Sequence, residues 1–293
     1  MRFEVDLIKA LQLARSPFMD VLNQFLSFFG TETFFLIVAV VLYWIVDKAF
    51  AHRFFNVYIL GVAVTSVMKI GFKRVRPFNA YPKEVISIQS PETSYSFPSG
   101  HTQTVSTVAS LLTIKYGKKY RIVPLAGVLI TVLVMFSRMY LGQHYLSDVF
   151  CGLTVGVFCS ILFNMLLSLL GNKEEWFAVG AIVLSVAVVG VLAGLGKLGE
   201  SEDLVKGLGA FAAFNIGYFF EKRFVAYDIK STQVWWRMLI RLALGIGVTV
   251  AIQQLFKLFL PESMPMLYCY LRYFLMALWV ALGAPAAFKA LKI

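Results

Sequence analysis

Charge is scarce in this sequence. Asp, Glu, Lys and Arg make up 15% of its 293 residues, against 59% hydrophobic residues and a mean hydropathy of +0.76. A soluble domain carries about 25% charged and about 45–50% apolar residues, so an ordinary soluble fold is excluded and a polytopic membrane protein is expected. Cysteine is rarer still. Cys151, Cys159 and Cys269 lie inside apolar segments with no metal-ligand spacing and read as packing residues. The N-terminus lacks a basic segment followed by an apolar core and a small-residue cleavage site, so no cleaved signal is expected and the first spanning helix would direct insertion. Acidic residues number 16 against 27 Lys and Arg, a net charge of +11. The basic excess sits in short connectors between apolar runs and not along an amphipathic face, which is the pattern of membrane topology and not of nucleic-acid binding.

A helix needs about 20 apolar residues to cross the hydrocarbon core. Runs of that order fall near 31–47, 53–72, 100–115, 122–141, 145–170, 176–196, 205–220, 234–259 and 267–288. They predict an all-α transmembrane bundle of about nine spans, in which the short 100–115 and 205–220 runs are tilted or partly sunk. Ahead of them, Ser16-Pro17 is a good helix start, and Phe18, Val21, Leu22, Phe25, Leu26 and Phe29 repeat at helical spacing. With Asp20, Asn23 and Gln24 also present, the stretch reads as an interfacial amphipathic helix; the alternative is an extra packed helix of the bundle. Gly152 with Gly156, and Gly190 with Gly194, are small-xxx-small pairs that permit close helix approach.

Three polar clusters interrupt this membrane-like pattern: Lys69 with Arg76-Pro77, then Pro98-Ser99-Gly100-His101, then Ser137-Arg138 with His144 and Asp148. Together they hold the groups that phosphoryl transfer needs. Lys69, Arg76 and Arg138 are fixed positive charges able to neutralise the oxygens on which transition-state charge collects. Ser99 adds a hydroxyl, and Gly100, lacking a Cβ, lets backbone amides approach an anion closely. His144 and Asp148, spaced i, i+4, would share one face of a helix, the carboxylate holding the imidazole as a base-and-orienter pair suited to an activated nucleophile. His101, on a different element, would be free to protonate a departing oxygen. His52, between Ala51 and Arg53, is remote from every cluster and reads as non-catalytic.

The pattern Lys-x6-Arg-Pro, Pro-Ser-Gly-His, Ser-Arg-x5-His-x3-Asp resembles the type-2 phosphatidic acid phosphatase superfamily, which also takes in glucose-6-phosphatases and vanadium haloperoxidases. Every signature position is present, and the resemblance covers roughly the first 170 residues. It implies a phospho-histidine mechanism without metal or cofactor. In it His144 is the nucleophile paired with Asp148, His101 is the general acid, and Lys69, Arg76, Ser99, Gly100 and Arg138 are the phosphate cradle. The chain then divides into an N-terminal amphipathic segment (1–30), a phosphatase core (31–171) and additional C-terminal helices (172–293) of one membrane domain.

A pocket at interfacial depth with no soluble domain to feed it favours a phosphorylated lipid as substrate. The alternatives are a soluble ester such as a sugar phosphate, and a non-hydrolytic lipid-phosphate carrier. The connector from about 73 to 98 should roof the pocket, with Tyr81, Glu84, Gln89, Glu92 and Tyr95 as candidates for selecting the part of the substrate beyond the phosphate; Lys73, Arg74 and Lys83 either add positive potential around the entrance or snorkel to lipid headgroups. Lys48, Arg53, Lys115, Lys118, Lys119, Arg121, Lys173, Lys222, Arg223, Lys230, Lys289 and Lys292 fall at the face away from the clusters. That face is expected to be cytoplasmic, leaving the pocket extracytoplasmic and the C-terminus inside. Arg2, Lys9 and Arg15 run against this bias.

Overall fold

The computed structural model describes residues 2–171, 173–229, 234–259 and 265–293; Lys230 lies outside them. Among the described residues all regular structure is helical: α1 (Arg2–Gln12), α2 (Pro17–Phe28), α3 (Glu32–Val41), α4 (Lys48–Phe72), the single turn α5 (Pro77–Ala80), α6 (Gly100–Tyr116), α7 (Ile122–Tyr140), α8 (Leu146–Leu170), α9 (Glu174–Gly194), α10 (Glu202–Phe220), α11 (Trp235–Leu258), α12 (Pro265–Leu278) and α13 (Ala284–Leu291). Each of the nine apolar runs is a helix. Among the described residues six stretches are long and apolar enough to cross a membrane, or seven if the bent pair α2 and α3 counts as one span, so a count of nine is not confirmed. The two short runs make the difference. α6 has 17 residues and buries Thr102, Gln103, Thr104, Ser106 and Thr107; α10 opens on Glu202, Asp203 and Lys206 and is buried along most of its length. Both are lined by protein, which is how polar residues are tolerated at such depth.

The chain divides into two compact units, Met1–Ile37 with Leu60–Met165, and Val38–Ile59 with Leu166–Ile293. In the first, α6 lies against α8 as the Gly152/Gly156 spacing predicts. A Cβ on Gly152 would fall 2.5 Å from the Ser99 carbonyl oxygen, and one on Gly156 2.8 Å from that of Gln103. α1 is anchored by Val5 and Ile8, fully buried with Phe78, Val85, Met135, Met139, Tyr145 and Val149. Its Lys9, with Arg2, pairs with Glu84, and Arg15 pairs with Asp20, so the basic residues that run against the charge bias have local partners.

α2 begins as its sequence predicts, with the Ser16 hydroxyl accepting from the Met19 amide and Pro17 in the first turn. Its packing inverts the usual amphipathic arrangement. Asp20 accepts from the Tyr140 hydroxyl (2.7 Å), the Asn23 carbonyl from the Ser137 hydroxyl (2.9 Å) and Ser27 from Arg138 (2.7 Å), while Phe18, Val21 and Phe25 remain exposed. A helix that turns polar groups inward and apolar groups outward suits contact with protein on one side and lipid on the other.

In the second unit, Gly209 of α10 brings the helix against the Tyr270 carbonyl and Gly217 against Ala281. The Gly190/Gly194 pair of α9 does not act this way: among the described residues no atom of another element lies within 4 Å of where its Cβ atoms would be. His52 also belongs to this unit. Its Nε2 is 2.7 Å from Asn215 Oδ1 and its ring stacks on Tyr218 at 3.9 Å, a structural network that accounts for a histidine outside the clusters.

Candidate active site

The three clusters converge in the first unit at adjoining helix ends: the end of α4 (Lys69), the turn into α5 (Arg76), the start of α6 (Ser99 to His101), the last turn of α7 (Arg138) and the start of α8 (His144, Asp148). Local sequence explains each placement. Arg76 precedes Pro77, whose fixed φ suits the first helical position. Ser99 is the N-cap of α6, its hydroxyl accepting from the Thr102 amide (3.4 Å), so the positive end of that helix lies beside the cluster. Gly100 stays open: a Cβ there would meet Lys69 Nζ at 3.9 Å.

His144 is not on α8. It lies in the turn before the helix, and Asp148, in the first helical turn, reaches back to accept from the Tyr145 amide (2.8 Å), half of a capping box. The i, i+4 spacing therefore works across a helix start and not along one helix face. It still sets His144 Nδ1 3.6 Å from Asp148 Oδ2, longer than a hydrogen bond, and contacts of this kind tighten when substrate is bound. The other ring nitrogen faces the cluster, with His144 Nε2 3.1 Å from Arg76 Nη1. Since a guanidinium only donates, Nε2 carries the lone pair and the proton resides on Nδ1, toward the carboxylate.

Asp148 is fully buried and held from three sides: by the Ser96 hydroxyl (2.5 Å), the Tyr145 amide, and Arg74 Nη1 at 2.6 Å from Oδ1. Arg74 also donates to Ser147 Oγ (2.6 Å) and Glu4 Oε2 (2.9 Å) and lies over the Tyr145 ring at 4.0 Å. It is thus the cation beside the buried carboxylate, and Glu4 of α1 fixes it. Removing one partner of a buried pair is costly, but Asp148 keeps two donors. Arg74→Ala is expected to destabilise the protein by about 3 kcal/mol, with partial recovery in Arg74→Lys, which cannot bridge Ser147, Asp148 and Glu4 together. Chemical denaturation in detergent reads this; an unchanged midpoint would mean that Ser96 and Tyr145 hold Asp148 unaided.

The remaining positive groups face one loop. Arg76 donates to the Ser94 carbonyl (2.7 Å) and hydroxyl (3.0 Å) and to Glu92 Oε2 (2.5 Å); Lys69 donates to the Ser94 hydroxyl (3.1 Å). Arg138, with no exposed surface, donates to Ser27, to Gln89 Oε1 (3.2 Å) and to Glu92 Oε1. His101 Nδ1 is 3.7 Å from the same Glu92 oxygen. Burial opposes the charge on Glu92, yet Arg138 and Arg76 hold its carboxyl well below the usual carboxylate range. The side chains of Lys69, Arg76, His101, Arg138, His144 and Asp148 are thus linked directly or through Ser94 and Glu92, the Ser99 amide donates to the Asp148 carbonyl (3.0 Å), and Gly100 lies beside Lys69. Sequence reasoning assigned no part in the site to Glu4, Ser27, Ser94 or Ser96. Ser27 touches Arg138, Ser94 touches Arg76 and Lys69, and Ser96 touches Asp148, while Glu4 reaches Arg74 and Ser147; no local spacing signals such contacts.

Fold and site together define a polytopic helical membrane protein in which Lys69, Arg76 and Arg138 form a cationic cradle beside His144 and His101. The chain belongs to the PAP2 superfamily: the model of that superfamily matches residues 50–170, and the model described as PAP2 superfamily phosphatase, transmembrane extension, matches residues 205–293. Among curated proteins it is 29% identical to an undecaprenyl-diphosphatase of Sulfolobus acidocaldarius, over 55% of this chain and 76% of that protein. It is 25% identical to a dihydrosphingosine 1-phosphate phosphatase of Saccharomyces cerevisiae (65% of this chain, 55% of that protein) and 28% identical to phosphatidylglycerophosphatase B of Bacillus subtilis (51% and 75%). The chain thus spans only about half the length of the yeast relative.

Proposed function

We propose that the protein hydrolyses a phosphomonoester or diphosphate carried on a membrane lipid, through a phosphorylated His144 and without a metal ion. The observation that carries this reading is the buried His144 ring, its Nε2 lone pair 3.1 Å from the Arg76 guanidinium and aimed into the cradle that Arg138 and Lys69 complete. Nε2 attacks phosphorus as the bond to the lipid-side oxygen breaks, and His101 gives that oxygen its proton. Water then attacks the phosphohistidine, losing its proton to His101, and inorganic phosphate leaves. Asp148 holds the proton on Nδ1 and balances the cation that forms. Lys69, Arg76, Arg138 and the amides at Ser99 and Gly100 neutralise the equatorial oxygens. The named relatives act on phosphorylated lipids of three chemical kinds, which supports the lipid class without choosing among them.

The site opens, on this reading, to the extracytoplasmic side, because Lys115, Lys118, Lys119 and Arg121 cluster at the opposite end of α6 and α7. The deciding experiment is phosphate release from polyprenyl diphosphate, phosphatidylglycerophosphate and sphingoid phosphate in detergent with a chelator present, compared with a sugar phosphate as competitor. Release from at least one lipid, undiminished by the chelator and only weakly inhibited by the sugar phosphate, is expected. Release of phosphate from lipid supplied outside intact cells checks the orientation. No release from any lipid, or activity lost to the chelator and restored by a divalent ion, would reject the reading.

A further inference from the structure

The cationic donors of the cradle are already engaged, by the protein's own chain. Glu92 places one carboxylate oxygen on Arg76 and the other on Arg138, and His101, the general acid proposed above, faces it at 3.7 Å. Around it Gln89 meets Arg138, and Ser94 meets both Arg76 and Lys69. A planar carboxylate spanning two guanidinium groups presents two acceptor oxygens in the geometry of two oxygens of a phosphate. The Glu92 side chain is about a quarter exposed, so it reaches the cradle from the mouth and not from the interior. It is carried by an irregular segment tied to the rest of the unit on either side, through Ser87, which accepts from Gln143 (2.9 Å), and through Ser96, whose amide donates to the Arg74 carbonyl (2.8 Å).

We propose that Glu92 is an internal competing anion: its carboxylate fills the phosphate position, and a substrate's phosphoryl group enters only by displacing it from Arg76 and Arg138. The inference deepens the phosphatase reading and rests on its cradle. It has two physical consequences. Two buried guanidinium groups stay compensated while the site is unliganded, which avoids the cost of leaving like charges unpaired beside each other. A weak anion is also excluded, because the apparent affinity of any ligand falls by the fraction of time the cradle is open. Ligands with a doubly charged phosphate gain most from the exchange, since they replace one negative charge by two. Glu92 would then favour terminal phosphomonoesters and diphosphates over the singly charged phosphodiesters that make up most of the surrounding bilayer.

The test measures binding and not turnover. By titration calorimetry of the detergent-solubilised full chain with inorganic phosphate, Glu92→Gln is expected to bind about 10-fold more tightly than wild type. Equal or weaker binding would overturn the proposal, since a carboxylate that merely positions the arginines would lose affinity on neutralisation. Because no hydrolysis is read, tighter binding in a protein that turns over no lipid would leave this inference standing while the phosphatase reading falls; no binding by either protein would overturn both. A measurement on the wild type guards against misfolding of the variant. Saturating phosphate should raise amide hydrogen exchange across residues 87–97 as the loop is released, and unchanged or slower exchange there rejects displacement.

Discussion

His144→Ala is expected to lower lipid-phosphate turnover by about 10⁴-fold or more while the protein keeps its elution volume and melting temperature. The size follows from the role. Removing a covalent nucleophile deletes the pathway, whereas removing one cradle donor only weakens it. In wild type, acid-labile phosphate should be recoverable on His144 after rapid quenching, and it should be absent from the variant. A pH profile gives an independent reading. Burial, and then the neighbouring Arg76, push the His144 imidazole down to about 4 from its ordinary value. A nucleophilic imidazole must be neutral, so a lowered pKa keeps it competent at and above neutrality, and the acid limb of kcat/KM should lie near pH 4, any alkaline limb belonging to loss of the proton on His101. An acid limb near the ordinary histidine value that persists with a substrate ionised across the whole range would contradict the environment described for this ring. An active His144→Ala variant would reject the nucleophile outright.

How much of this architecture could be read beforehand depended on the range of the interaction involved. The positions of the helices were legible because hydrophobic runs are local, and so was the start of α2, where Ser16-Pro17 acts on its own backbone. The number of membrane-capable helices was less so. α6 and α10 read as spans from their apolar runs, but one is short and the other opens on charge, so a count of nine is not confirmed; that protein surrounds both is decided by residues far away in the chain. The same limit applies to α2, whose apolar stripe suggests an inward face until Arg138, Ser137 and Tyr140 of α7 are seen to occupy its polar side. It applies equally to the glycine pairs, since identical spacing is used for close approach at Gly152 and Gly156 and meets nothing at Gly190 and Gly194.

The candidate site divides along the same line. Motif residues stand at fixed separations because chemistry constrains several side chains of one turn at once, so Lys69, Arg76, Ser99, His101, Arg138, His144 and Asp148 could be named from type and spacing. Glu92 was visible only as a candidate for selecting the substrate beyond the phosphate, and Arg74 only as a charge of the connector. Their parts come from contacts with Arg138 and Asp148, made 46 and 74 residues away along the chain. Carboxylates and guanidinium groups are common enough in connectors that no pattern of neighbours separates one that fills a cradle from one that faces water.

His101→Ala carries the second large effect, and its size should depend on the leaving group. The backbone of residue 101 is fixed by close packing: a Cβ on Gly30 would lie 2.7 Å from the His101 carbonyl oxygen, so the turn between α2 and α3 is pressed against the start of α6 and the imidazole has a defined origin. From there its Nδ1 faces the Glu92 carboxylate of the cradle at 3.7 Å. A lipid alkoxide is a poor leaving group and needs a proton as the bond to phosphorus breaks, so loss of the acid should lower turnover of alkyl phosphates by about 10²–10⁴-fold. A nitrophenolate departs without one. With p-nitrophenyl phosphate the variant should therefore still release a first equivalent of nitrophenol at close to the wild-type rate, then stall, because water attacking the phosphohistidine lacks its base. Burst kinetics and isolation of the phosphorylated protein read both halves of this expectation. Equal losses on alkyl and aryl substrates, with no burst and no trapped phosphate, would assign His101 to holding the start of α6 and leave proton transfer to another group.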